Sequence, residues 1–180
     1  MSFESDYKWQ QKLLPQVIQH CGTHLAHRVI GEAPQEEDKH RNTDLMVLNW
    51  DQVRIGVRLR TNSYYHNPVY RNQFTIRASR DMGSTEYAKL INGFGDYFFY
   101  GFTNTRKTHI LAWFIGDLNV FRQYRGDYLA LHDVEPGTVK PNSDGSSQFR
   151  AFNIADLPKS FIVHRDCSWL RIQQDRGEAV

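Results

Sequence analysis

Thr43-Asp44-Leu45-Met46-Val47-Leu48 is followed, after a short polar turn, by Arg54-Ile55-Gly56-Val57-Arg58-Leu59-Arg60. Asp44 stands at the mouth of a hydrophobic strand expected over 44–50. In the strand expected over 53–60, alternation puts Ile55, Val57 and Leu59 on one face and Arg54, Arg58 and Arg60 on the other. The connection Asn49-Trp50-Asp51-Gln52 is short enough for a hairpin. One carboxylate thus lies beside a row of fixed positive charge, which suits a metal ion and a phosphate together. A strand with a solvated basic face has the same alternation, and Asp44 can equally be a residue that merely flanks a strand.

Upstream, Trp9, Leu13, Val17 and Ile18 recur at helical spacing and predict a helix over 6–20, with Pro15 as a kink and Gly22 as its stop. A strand over 24–31 and a polar loop over 33–42 follow. Downstream, 62–72 is rich in Asn, Tyr and His and reads as an exposed loop, and 73–78 as a short strand. The stretch 84–93 predicts a helix capped by Ser84 or Thr85, with Tyr87, Leu90 and Ile91 on its apolar face. The continuous apolar runs 97–102 and 110–115 are the pattern of strands covered on both faces. A short helix over 117–124, a loop over 136–147 and short strands near 149–154 and 161–163 complete the chain. The class implied is α/β, a central mixed β-sheet flanked by helices.

A chain of 180 residues fits one domain, and 40% hydrophobic with 23% charged residues is ordinary for a globular protein. No apolar run is long enough to cross a bilayer, and the first residues lack the basic-then-apolar pattern of a signal peptide, so the expected setting is intracellular and cytoplasmic with no membrane partner. Two cysteines, Cys21 and Cys167, do not make a disulfide scaffold. A net charge of +2 does not by itself indicate nucleic acid, but its distribution does: between Gln52 and Arg80 there are six arginines and no acid. Arginine is the planar, permanently charged fork suited to phosphate.

The order of elements, with Asn42-Thr43-Asp44-Leu45 opening one strand and Gly56-Val57-Arg58 on the next, resembles the restriction-endonuclease-like, or PD-(D/E)xK, nuclease superfamily. The resemblance spans residues 5–116 and leaves 117–180 as a C-terminal extension. It implies a restriction-endonuclease-like core, Mg²⁺ or Mn²⁺ as cofactor, phosphodiester hydrolysis, and a nucleic-acid partner, DNA in the first instance, with a homodimer as a further arrangement. Asp44 matches the superfamily's first acid. Glycine stands at 56, where a second acid is expected, and arginine at 58, where a lysine is expected. Some members supply the missing acid from the following helix, where Glu86 in Ser84-Thr85-Glu86-Tyr87-Ala88-Lys89 is the candidate; Glu4, Glu37 and Asp38 are weaker ones. The metal set is then Asp44 and Glu86, and the catalytic set Asp44, Glu86, Arg58 and Lys89. Arg58 cannot act as general base but can hold a phosphate; Lys89 is a substitute for the missing lysine. Glu86 also sits where any acid is favoured by a helix dipole.

A second constellation is the loop Tyr64-Tyr65-His66-Asn67-Pro68-Val69-Tyr70-Arg71-Asn72-Gln73, whose rings interleave with arginine and amide groups suited to stacking on bases. The expected nucleic-acid contacts are Arg54, Arg58, Arg60, Tyr64, Tyr65, Arg71, Gln73, Arg77 and Arg80; a tyrosine-rich loop packed on its own sheet is the alternative. Cys21 with His20, His24 and His27 has zinc-like spacing but no second cluster nearby. Three functions follow: a Mg²⁺-dependent nuclease, a nucleic-acid-binding module with a decayed catalytic set, and a protein-interaction or regulatory protein using the same arginines and tyrosines.

Overall fold

Strict alternation in one strand and unbroken apolar runs in two others require a sheet covered on both faces, and that is the arrangement found. The computed structural model describes residues 8–25, 29–32, 45–48, 53–80, 85–142, 145 and 147–166. Asp44, Glu4, Glu37, Asp38, His27, Ser84 and Cys167 lie outside them. In chain order the elements are α1 (Leu14–His24), β1 (Val29–Glu32), β2 (Leu45–Leu48), β3 (Val53–Arg60), α2 (Asn62–His66), β4 (Gln73–Arg80), α3 (Glu86–Ile91), β5 (Tyr97–Thr103), β6 (Ile110–Asp117), α4 (Leu118–His132), β7 (Thr138–Pro141), β8 (Ser147–Asn153) and β9 (Ile162–Arg165).

The first sheet has the order β1-β2-β3-β5-β6-β9 and is mixed. β1, β2 and β3 form an antiparallel meander, β3 and β5 run parallel, and β6 and β9 add antiparallel strands. β4, β8 and β7 form a separate antiparallel sheet of three strands. The α/β class is therefore present, with a second sheet that periodicity did not announce.

Two packed layers hold this together. Leu14, Val17 and Cys21 of α1, with Leu13, cover Ile55, Leu59, Phe99, Trp113 and Ile115 on one face of the first sheet. On the other face, Phe98, Tyr100, Phe102 and Phe114 meet Phe74 and Ile76 of β4, Phe152 of β8, Leu90 of α3 and Phe121 of α4. Phe74 is the hub of this layer, edge-on to Phe98, Tyr100 and Phe121 at ring separations of 5.3, 5.6 and 5.8 Å. Each such side chain fully removed from water contributes about 1.5–3 kcal/mol. β5 and β6 are covered on both faces, as their apolar runs predicted.

Several local expectations change. Pro15 does not kink the helix; it sits in the first turn of α1, where its missing N–H costs nothing, and a separate helical turn at 8–11 precedes it. α1 runs through Gly22 to His24. The stretch 62–72 is not an open loop: α2 and a 3₁₀ turn at Tyr70–Asn72 occupy it, and Asn67 Oδ1 accepts the N–H groups of Val69 and Tyr70 at 2.9 and 3.3 Å. Tyr64 and Tyr65 pack against the aromatic layer. The Pro- and Gly-rich stretch after 136 contains β7, and Gly137 there has φ +80° with Ala151 O only 2.8 Å from where a Cβ would lie. α4 continues through Gly126 to His132, well past the expected end at 124, and closes on Asp133 in the left-handed region. Thr85 is the cap of α3, its Oγ1 accepting the Ala88 N–H at 3.1 Å.

Candidate anion-binding cleft

Alternation turns Arg54, Gly56, Arg58 and Arg60 towards the layer that holds β4 and α3 rather than out to water, because Ile55, Val57 and Leu59 take the face under α1. Arg58 is consumed there. Its Nη1 donates to Glu86 Oε2 at 2.6 Å, and the two side chains are 19% and 13% exposed. The Arg77 N–H donates to the same oxygen at 2.9 Å. Glu86 therefore ties β3, β4 and α3 together. Its place is fixed by the Thr85 cap, which makes it the first residue of α3.

Arg60 is in the opposite condition. Its guanidinium lies over the Tyr64 ring, 3.8 Å from the ring centre. Among the described residues that guanidinium has no hydrogen-bond acceptor and no carboxylate in salt-bridge contact. Desolvation holds it below the usual arginine range and Arg58 adds to this, while Tyr100, Tyr64 and Glu86 act in the other direction. An arginine in this condition still carries its charge at neutral pH.

Arg60 opens onto a cavity of about 500 Å³ whose wall includes Tyr64, Tyr70, Thr75, Tyr100 and Lys140 and, among the described residues, holds no aspartate or glutamate. Thr75 Oγ1 and Tyr100 Oη lie 3.0 Å apart on its floor, both buried. Only one hydroxyl proton can bridge that pair, so the other is left to donate elsewhere. The chemistry of the wall is two cations, tyrosine rings and a hydroxyl donor. It suits an anion joined to a planar group.

The other sequence-predicted residues are dispersed. Asp44 lies outside the described residues. Arg54 marks the entry of β3, where its N–H donates to Asp96 Oδ2 at 2.7 Å. Tyr65, partly buried, packs on Phe102 at a ring separation of 5.8 Å. Arg71 Nε and Gln73 Oε1 are buried without a hydrogen-bond partner among the described residues. Arg77 contributes its main chain, and Arg80 closes β4 opposite Ser147. Lys89 is half-buried in the last turn of α3. The structure thus gathers Arg58, Arg60, Tyr64 and Glu86 from the expected set. It adds Tyr100, Thr75 and Lys140, which sequence reasoning passed over because Tyr100 sits inside an apolar run and Lys140 inside an apparent loop.

The described residues do not fit a divalent cation. No three His, Cys, Asp or Glu side chains among them converge on one point, and Glu86 is committed to a guanidinium. Zinc at Cys21 fares no better: the side chain is fully buried and desolvation pushes its thiol up to about 12, while the His20 and His24 rings pack tilted against Trp113 at 4.8 and 5.2 Å. Among the described residues no helix is long and apolar enough to cross a membrane. No family model, curated protein or solved structure matches the chain.

Proposed function

We propose that this chain is a nucleic-acid-binding module built on a restriction-endonuclease-like core, with its catalytic set replaced by a structural ion pair. The observation that carries the reading is the contrast between two arginines on one strand face: Arg58 is paired with Glu86, whereas Arg60 lies over Tyr64 and faces an aromatic cavity whose described residues include no carboxylate. The element order supports the core: the resemblance implies a helix, three strands, a second helix and a further strand, and α1, β1, β2, β3, α3 and β5 follow that order with α2 and β4 interposed. Arg58 occupies the lysine position and cannot serve as a base. Glu86, the candidate migrated acid, has one oxygen occupied by Arg58 and the Arg77 N–H.

The test is incubation with supercoiled DNA plasmid and Mg²⁺ or Mn²⁺, together with binding measured across salt concentration. The expected result is no nicking, with binding that weakens steeply as salt rises and survives Asp44→Ala. Nicking that disappears in Asp44→Ala overturns the proposal in favour of a Mg²⁺-dependent nuclease. Absence of binding at low salt, where phosphate contacts are strongest, overturns it in favour of a protein-interaction role.

A further inference from the structure

We infer that the cavity beneath Arg60 is a site for a phosphate monoester carried on a nucleoside, a terminal phosphate rather than an internal one. The inference rests on the proposed nucleic-acid function only for the source of that phosphate, a strand end or a free mononucleotide.

Charge is the first argument. An internal phosphodiester carries one negative charge, whereas a phosphate monoester carries about −1.5 to −2 at neutral pH. The cavity wall presents Arg60 and Lys140 from two different sheets and, among the described residues, no acid to oppose them. Two cations converging on one space match a dianion better than a monoanion. The Arg60 guanidinium is already desolvated and oriented by the Tyr64 ring, so a ligand pays little to order it.

Donor chemistry is the second. The Thr75–Tyr100 pair leaves one hydroxyl proton free at the floor, and arginine offers a planar fork. Together they present donors from several directions, as the three terminal oxygens of a monoester require. A diester has only two such oxygens, and its chain must leave on both sides.

Size and shape are the third. About 500 Å³ lies within the range of small-molecule sites and holds a single nucleotide, not a duplex. Tyr64 and Tyr70 sit at one wall with ring centres 5.6 Å apart and planes inclined by 53°. Tyr70 is 40% exposed, so its face is available to a base.

The experiment is a direct binding titration of the full chain against four probes: a single-stranded oligonucleotide with a 5′-phosphate, the same strand with a 3′-phosphate, the same strand with hydroxyl ends, and a free nucleoside monophosphate. The expected result is that at least one phosphorylated strand binds about ten-fold or more tightly than the hydroxyl strand, the ratio for a lost charge-assisted contact. Arg60→Gln should remove that ratio. Lys140→Ala, at an edge strand whose loss does not threaten the core, should reduce it several-fold and is the variant to rely on should Arg60→Gln fail to fold by circular dichroism. Equal affinity for all three strands overturns the inference and leaves the nucleic-acid reading intact. Tight binding of the mononucleotide with none for any strand supports the site and overturns the nucleic-acid reading. No binding of any probe, or a ratio unchanged in Lys140→Ala, overturns the site.

Discussion

Breaking the Arg58–Glu86 pair tests whether Glu86 is a structural residue or a metal ligand in waiting. Exposed pairs contribute about 0–1 kcal/mol, whereas removing one partner of a fully buried pair costs about 3–5 kcal/mol. With side chains 19% and 13% exposed, this pair lies between those limits. Arg58→Met should therefore cost about 2–3 kcal/mol, since it leaves the carboxylate with the Arg77 N–H as its remaining donor. Glu86→Gln keeps an acceptor for that N–H and should cost less, about 1–2 kcal/mol. The double variant should fall short of the sum by about 1–2 kcal/mol, the signature of a direct interaction in a mutant cycle. The assay is equilibrium urea unfolding, where a slope of about 2 kcal/mol/M turns the Arg58→Met effect into a midpoint drop of about 1–1.5 M. Two results refute the reasoning. One is additivity within about 0.5 kcal/mol, which means that the pair does not interact. The other is a midpoint that rises with Mg²⁺ in the parent chain and not in Glu86→Gln, which makes the carboxylate a cation ligand.

Three further outcomes follow from the packing and the titrating groups. Gly116→Ala should destabilise by about 1–3 kcal/mol in the same urea assay, because its Cβ would fall 2.5 Å from Cζ of the fully buried Phe161 ring; an effect below about 0.5 kcal/mol shows that the ring has room to move. His20 is held below the ordinary histidine range by burial, against the pull of Asp166, and His24 by burial together with the charges of His164 and His20. The unfolded chain then takes up protons first, so the stabilising contribution is present above about pH 6.5 and is lost as pH falls below it; a melting temperature flat between pH 7.5 and 5.5 contradicts this, as does a fall that His20→Asn leaves unaltered. With Cys167 replaced by Ser, Cys21 should resist iodoacetamide under native conditions and react once urea unfolds the chain, since its thiol is buried and pushed up to about 12; native-state alkylation as fast as that of a free thiol contradicts its place in the core.

The parts of this molecule that local pattern encodes were legible in its sequence. β3 was bounded to the residue at Val53–Arg60 because its alternation is strict, and β5 and β6 were recognisable because strands buried on both faces leave unbroken apolar runs. What alternation does not encode is the neighbour. β4 reads as a strand on its own, but its partner is β8, far along the chain, so the second sheet had no local signature. The same limit applies to Tyr64 and Tyr65. Adjacent in sequence and alike in chemistry, they diverge because one lies beneath Arg60 and the other on Phe102. Of the candidate site, Arg58, Arg60 and Glu86 were legible as residue types, but their division into one neutralised and one unneutralised arginine depends on where the α3 cap places a single carboxylate.

That division also bears on whether the proposed cleft would bind or catalyse. Glu86 has one negative charge to give, and Arg58 and Arg60 are the two arginines of the β3 face on which its charge bears. Hydrogen bonding to Arg58 and to the Arg77 N–H fixes the carboxylate on the β3–β4 side, and drawing it towards a cation or towards Arg60 would strand a largely buried guanidinium at a cost of a few kcal/mol. The pair therefore does two things at once. It stabilises the junction of β3, β4 and α3, and it directs the Glu86 hydrogen bonds to Arg58 and the Arg77 N–H, so that Glu86 acts on Arg60 only through its charge. A catalytic version of this cleft would need that carboxylate released and joined by a second acid, whereas an anion-binding version needs only that it stay where α3 holds it.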